Sequence, residues 1–140
     1  MLLRELLGRS IIRISAQFGL VDGWLDTCYC YLQLDNGLVI DLPSMVESLE
    51  DGVGTQDALP AGSTELTHRV PFVLNQPIVG IISYEYEDDI LTAALLELAN
   101  GYLLTEVNMA PSGTGAAALW HLASLADVEA QFGPDYRRLA

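Results

Sequence analysis

Cys28-Tyr29-Cys30-Tyr31-Leu32-Gln33-Leu34, then Asp35-Asn36-Gly37, then Leu38-Val39-Ile40-Asp41-Leu42: two β-rich runs flank an Asn-Gly pair, the local signature of a hairpin. Two registers compete for this stretch. A two-residue loop at Asn36-Gly37 would set Leu34 opposite Val39 and Leu32 opposite Asp41, dividing the apolar side chains between both faces. A three-residue loop Asp35-Asn36-Gly37, with Gly37 in the left-handed position of a bulge, pairs Leu34 with Leu38, Leu32 with Ile40 and Cys30 with Leu42. One face then holds all of these apolar residues, and Tyr29, Tyr31, Gln33, Val39 and Asp41 share the other. Since a slip of one residue inverts every side chain, the three-residue loop is predicted.

Working outward toward the N-terminus, Leu3, Leu6 and Leu7 have helical spacing and predict a short helix over 2–8 that stops near Gly8. From Ile12 onward, Ile12, Ile14, Ala16 and Phe18 alternate with Arg13, Ser15 and Gln17, the period of a half-buried strand. On the other side, Pro43 ends the second hairpin strand, and Ser44-Met45-Val46-Glu47 has capping-box spacing, predicting a central helix over 45–50. Residues 51–69 have Gly52, Gly54, Pro60 and Gly62 and neither period, so they read as a long loop where binding could reside.

Three further runs, Ile78 to Glu87, Ile90 to Leu98 and Tyr102 to Met109, read as an antiparallel meander. At its Asn100-Gly101 turn the same register argument pairs Leu98 with Tyr102 and Leu96 with Leu104. The opposite face carries Leu95, Leu103, Val107 and Met109, so this hairpin is apolar on both sides, as a doubly covered pair would be. A helix over 90–99 is the rival, and strand is preferred because the run after Gly101 needs a neighbour. Leu32 to Gly37 and Leu96 to Gly101 share turn chemistry and alternation, which reads as convergence rather than duplication. Residues 116–122 fit a final strand or a helix start. Ser124-Leu125-Ala126-Asp127 opens a C-terminal helix over roughly 125–132, ahead of Gly133-Pro134. The expected fold is one α+β domain over 1–140: an antiparallel β-sheet of hairpin plus three-strand meander, packed with short N-terminal, central and C-terminal helices.

A chain of 140 residues, 51% hydrophobic, can bury a proper core. Nineteen Asp and Glu against six Arg and no Lys leave a net charge of −13. That field repels phosphate backbones and anionic leaflets, so neither nucleic acid nor membrane is expected as a partner, whereas a basic protein is. The N-terminal leucines are interrupted by Arg4 and Glu5, unlike a secretory signal, and a cytoplasmic location is expected. Cys28 and Cys30, separated by one residue, read as reduced core side chains rather than a disulfide.

No cofactor or metal is expected. Ser112-Gly113-Thr114-Gly115 lacks the lysine of a phosphate-binding loop and reads as turn punctuation. His68 and His121 have no second ligand at zinc spacing. Glu85, Glu87, Asp88 and Asp89 lack the spacing of a calcium loop and read as a solvated hairpin tip. Trp24, Tyr29 and Tyr31 form the other candidate surface. Exposed, they would make a protein-binding cluster; covered by another element, they would be core.

The run Leu98-Ala99-Asn100-Gly101-Tyr102-Leu103-Leu104-Thr105-Glu106, followed by Ala110-Pro111-Ser112-Gly113-Thr114-Gly115, resembles a group of small uncharacterised bacterial proteins, some carried on integron gene cassettes and other mobile elements. The resemblance covers about the C-terminal half. It implies a bacterial accessory protein of a kind that often binds or neutralises another protein. The favoured expectation is a non-enzymatic binding protein, an immunity- or antitoxin-like inhibitor or an adaptor. Two alternatives stand beside it: a small enzyme or ligand-binding protein with a pocket under the 51–69 loop near His68, Asp57 and Glu65, and a self-associating homo-oligomer subunit.

Overall fold

The computed structural model describes residues 1–43, 46–85, 92–108 and 117–140, and the side chains of all of these except residues 21, 24–28, 85, 92–93, 106–108 and 117–120. The deciding turn forms as its alternation requires. Leu32 stands opposite Ile40, Tyr31 opposite Asp41 and Gln33 opposite Val39. The Leu34 N–H donates to Leu38 at 2.9 Å and the Leu42 N–H to Cys30 at 2.9 Å, with Gly37 at φ +85°. Leu32, Leu34 and Ile40 are wholly buried, and Cys30 is buried beside them as a thiol in no disulfide.

The hairpin and the meander do not join in one sheet, as the sequence reading had them. They belong to two antiparallel five-stranded sheets. The first contains β1 (Ile11–Val21), β2 (Trp24–Leu34), β3 (Val39–Asp41), β4 (Thr55–Gln56) and β5 (Thr64–Glu65), in the order β4-β3-β2-β1-β5. The second contains β6 (Ile78–Glu85), β7 (Thr92–Leu98), β8 (Leu103–Asn108), β9 (Ala117–Leu122) and β10 (Tyr136–Arg138), in the order β10-β6-β7-β8-β9. Regular structure is therefore mostly strand, with one α-helix, α1 (Leu125–Phe132), among the described residues.

One core cluster joins Ile14, Cys30, Leu32 and Ile40 of the first sheet to Ile81, Leu96 and Leu104 of the second. A second cluster, Ile82, Tyr84, Leu95, Leu103 and Leu122, lies on the other face of the second sheet and is closed by Val128 of α1. The central strand is thus covered on both sides. Leu96 stands opposite Leu104, the Leu98 N–H donates to Tyr102 at 2.8 Å, and Leu95 and Leu96 are both wholly buried in different clusters. This is the doubly apolar pattern expected of the second hairpin, and residues 92–98 are strand rather than helix. Ser124 caps α1 by accepting the Asp127 N–H at 3.2 Å.

The short helices fare less well. The N-terminal one is a 3-10 turn, Leu3–Leu6, which brings residues three apart onto one face and buries both Leu3 and Leu6 completely. The central helix is absent from the described residues 46–50, while Ser44 and Met45 lie outside them. The Asp51 carboxylate accepts the N–H groups of Glu47 at 2.7 Å and Ser48 at 3.2 Å, and Ser48 Oγ accepts that of Glu50 at 3.1 Å. Such short-range side-chain acceptors draw donors away from helix formation. The buried set on β1 is also displaced from the expected alternation. A register shift between Ile11 and Arg13 turns Ile11 into the core in place of Ile12.

Two features had no clear counterpart in the sequence reading. The loop 51–69 supplies two two-residue strands that flank opposite edges of the first sheet. Asp22 (φ +50°) and Gly23 (φ +79°) form a left-handed two-residue turn that joins β1 to β2, each of 11 residues. Asp-Gly is a strong hairpin signal, so this turn was legible.

Candidate functional site

Alternation on β1 and β2 places Gln17 opposite Tyr29 and Ser15 opposite Tyr31 on the face away from the core. Asp41 of β3 stands opposite Tyr31, and Gln56 of β4 stands opposite Val39, diagonal to Asp41. Gln17, Tyr29, Tyr31, Asp41 and Gln56, together with Cys30 and Leu42, line an open concavity of about 380 Å³ on the polar face of the first sheet. The two tyrosines differ in exposure: Tyr29 is 56% exposed at the rim, whereas Tyr31 is 7% exposed and forms a wall. Of the two alternatives left open by the sequence, the exposed one describes Tyr29 and the covered one Tyr31, which its sheet neighbours enclose. No helix covers it among the described residues.

Hydrogen bonds order the walls. The Tyr31 hydroxyl donates to Gln17 Oε1 at 3.3 Å, and Gln56 Nε2 donates to Asp41 Oδ1 at 3.0 Å. Burial raises the Tyr31 hydroxyl pKa above its ordinary value; a hydrogen bond from Gln56 opposes that shift and the nearby Asp41 charge adds to it. Gly54 leaves room for the carboxylate, because a β-carbon there would collide with Asp41 Oδ2.

A second polar group pins β5 to β1. Arg13 grips Glu65 through two hydrogen bonds, Nε to Oε1 at 3.1 Å and Nη2 to Oε2 at 2.6 Å. The Thr67 hydroxyl also donates to Glu65 and accepts the Ile14 N–H at 3.0 Å. The hydrogen bond from Arg13 holds the Glu65 carboxyl below its ordinary pKa, helped by Thr67, and the same bond raises the Arg13 guanidinium. All hydrogen bonds in this group are internal, which makes it a strand clasp.

The other residues singled out from the sequence fall elsewhere. Among the described lining residues of the concavity, Gln56 comes from the 51–69 loop, but His68, Asp57 and Glu65 do not take part. His68 is exposed on a 3-10 turn, Thr67–Arg69. His121 is exposed with its ring 4.7 Å from that of Phe72. Trp24 and Glu85 sit on β2 and β6, and their side chains are not among those described. Glu87, Asp88 and Asp89, like Ser112-Gly113-Thr114-Gly115, lie outside the described residues. Gln17, Asp41 and Gln56 had not been named as site residues. The hairpin register already put Asp41 on the Tyr29/Tyr31 face, and alternation already turned Gln17 away from Ile14 and Ala16; Gln56 had no such signal.

Among the described residues, no group of three or more His, Cys, Asp and Glu side chains is arranged to hold a metal ion, and no helix is long and apolar enough to cross a membrane. Comparison with protein-family models, curated proteins and solved structures returned no match.

Proposed function

We propose that this chain is a non-enzymatic protein-binding accessory protein, an immunity- or antitoxin-like inhibitor or an adaptor, whose partner is a basic protein. The observation that carries this reading is the use of the few positive charges. Arg4 pairs with Glu50, Arg9 with Asp35 at 3.6 Å, Arg13 with Glu65 and Arg138 with Glu97 at 2.9 Å. Arg137 donates to the Glu47 carbonyl at 2.6 Å. Five of the six arginines are thus engaged within the chain, and among the described side chains no Asp or Glu is buried, so a net charge of −13 has little cation beside it at the surface. Such a surface steers a positive partner and disfavours nucleic acid. The likeness of residues 98–106 and 110–115 to small bacterial proteins on mobile elements accords with this reading.

The test is capture on the immobilised intact chain from a bacterial extract, followed by association kinetics with the purified captured protein at rising salt. A basic partner whose association slows by about tenfold or more as screening shortens the reach of charge is the expected result. No captured partner, or association indifferent to salt, overturns the reading.

A further inference from the structure

The concavity on the polar face of the first sheet has the chemistry of a cation site. Its described lining, Gln17, Tyr29, Cys30, Tyr31, Asp41, Leu42 and Gln56, contains a carboxylate and two phenol rings and no Arg, Lys or His. Two of its donors are already spent internally, the Tyr31 hydroxyl on Gln17 and the Gln56 amide on Asp41. Those bonds leave lone pairs on the Asp41 carboxylate and the Gln56 amide carbonyl, beside the N–H groups of the Gln17 amide and the Tyr29 hydroxyl, and the one full charge in the described lining is negative. A cationic guest complements that charge, and a guanidinium brings five donors to the carboxylate and the amide carbonyl.

The strand spacing sets the dimensions. Tyr31 and Asp41 are direct cross-strand partners. Tyr29 lies two residues along β2 on the same face, diagonal to Asp41, a neighbour separation of about 7–8 Å with the β-carbons somewhat closer. A planar cation between them reaches the carboxylate at hydrogen-bond distance while lying within about 6 Å of the Tyr29 ring, the range of cation–π attraction. Tyr29 is 56% exposed, so its ring can receive a guest, whereas the enclosed Tyr31 holds the back wall. A volume of about 380 Å³ accommodates one long side chain rather than a peptide.

We infer that this concavity receives the side chain of an arginine presented by a protein partner, the guanidinium lying between the Tyr29 ring and the Asp41 carboxylate. The inference rests on the protein-binding reading above and names the contact that would anchor it.

The test uses the intact chain, isotope-labelled, titrated with N-acetyl-arginine amide, with the neutral isostere N-acetyl-citrulline amide and with spermidine. The arginine probe is expected to shift the resonances of residues 17, 29, 41 and 56 saturably, at least about tenfold more tightly than citrulline, because only the former carries charge. Tyr29→Ala should weaken it about two- to fivefold, Asp41→Asn about fivefold, and Tyr29→Phe little, since the ring remains. Equal shifts with citrulline, or shifts away from these residues, overturn the site. Tighter binding of spermidine at the same residues overturns the arginine assignment in favour of a free polyamine. Should Asp41→Asn fail to fold, the rim variants Tyr29→Ala and Tyr29→Phe carry the test alone. A basic partner that is captured with salt-dependent kinetics and is indifferent to Tyr29→Ala and Asp41→Asn sinks this site and spares the protein-binding reading. Arginine-probe binding with no captured partner does the reverse.

Discussion

Gly54 is packed against Asp41 so closely that a β-carbon at Gly54 would occupy the place of Asp41 Oδ2, while the Gly54 carbonyl accepts the Asp41 N–H at 2.9 Å. The absence of a side chain at one position thus sets the orientation of the carboxylate at the other. Gly54→Ala is expected to rotate Asp41 away from Gln56 and to weaken arginine-probe binding several-fold. Since both residues are exposed, the stability change should stay below about 1 kcal/mol. Titration and urea denaturation of the same sample separate the two effects.

Gly37 (φ +85°) and Gly101 (φ +93°) hold the left-handed position of the two three-residue loops. An alanine at either should cost about 1–2 kcal/mol, the penalty for a β-carbon in that conformation. Gly52→Ala is the control, because a β-carbon there meets nothing within 4 Å and its φ is not in the left-handed region. Urea midpoints that fall equally for all three would contradict the turn assignment.

The Glu65 carboxyl has a folded pKa below its ordinary value of 4.5, chiefly through its hydrogen bond from Arg13. A depressed acid contributes stability that is complete above its unfolded pKa and is lost as pH falls through the folded one. The melting-temperature gap between the natural chain and Glu65→Gln should therefore be constant near neutrality and close below about pH 4.5. Parallel acid limbs for the two proteins would show that the clasp adds nothing.

Burial raises the Tyr31 hydroxyl above its ordinary pKa of 10.0. The unfolded chain then loses this proton first, so the contribution is whole below about pH 10 and declines as pH rises further. Tyr31→Phe should flatten the alkaline limb of the stability curve. An unchanged slope above pH 10 would place the phenol in solvent.

Ser124→Ala removes the acceptor that caps α1 at the Asp127 N–H, and should cost about 1 kcal/mol. Near-ultraviolet circular dichroism of the ring group Tyr84, Phe132 and Tyr136 reports whether the helix still closes the second cluster.

The β-structure was legible where a left-handed turn and a two-residue period agreed. At Asp35-Asn36-Gly37 and Ala99-Asn100-Gly101 the alternation allowed one register that kept the apolar side chains together, and the pairs Leu32–Ile40 and Leu96–Leu104 follow it. The strand over 92–98 was readable because both its faces are apolar, which suits a strand covered by a sheet on one side and α1 on the other. Capping-box spacing misled where local acceptors intervened, as Asp51 and Ser48 do at 47–50. Of the candidate site, Tyr29 and the face of Asp41 were readable, whereas Gln56 was not, since a two-residue strand has no period to detect.

Local chemistry alone dictated the two Asn-Gly turns, the faces of the strands that flank them, the capped C-terminal helix and the acidic field, because each depends on neighbours a few residues apart or on a sum over the chain. Contacts distant in sequence decided that hairpin and meander lie in separate sheets, that 55–56 and 64–65 become edge strands, and that Tyr31 is enclosed while Tyr29 remains open. Edge pairing and enclosure depend on which surface arrives opposite, and no short window of residues contains that information.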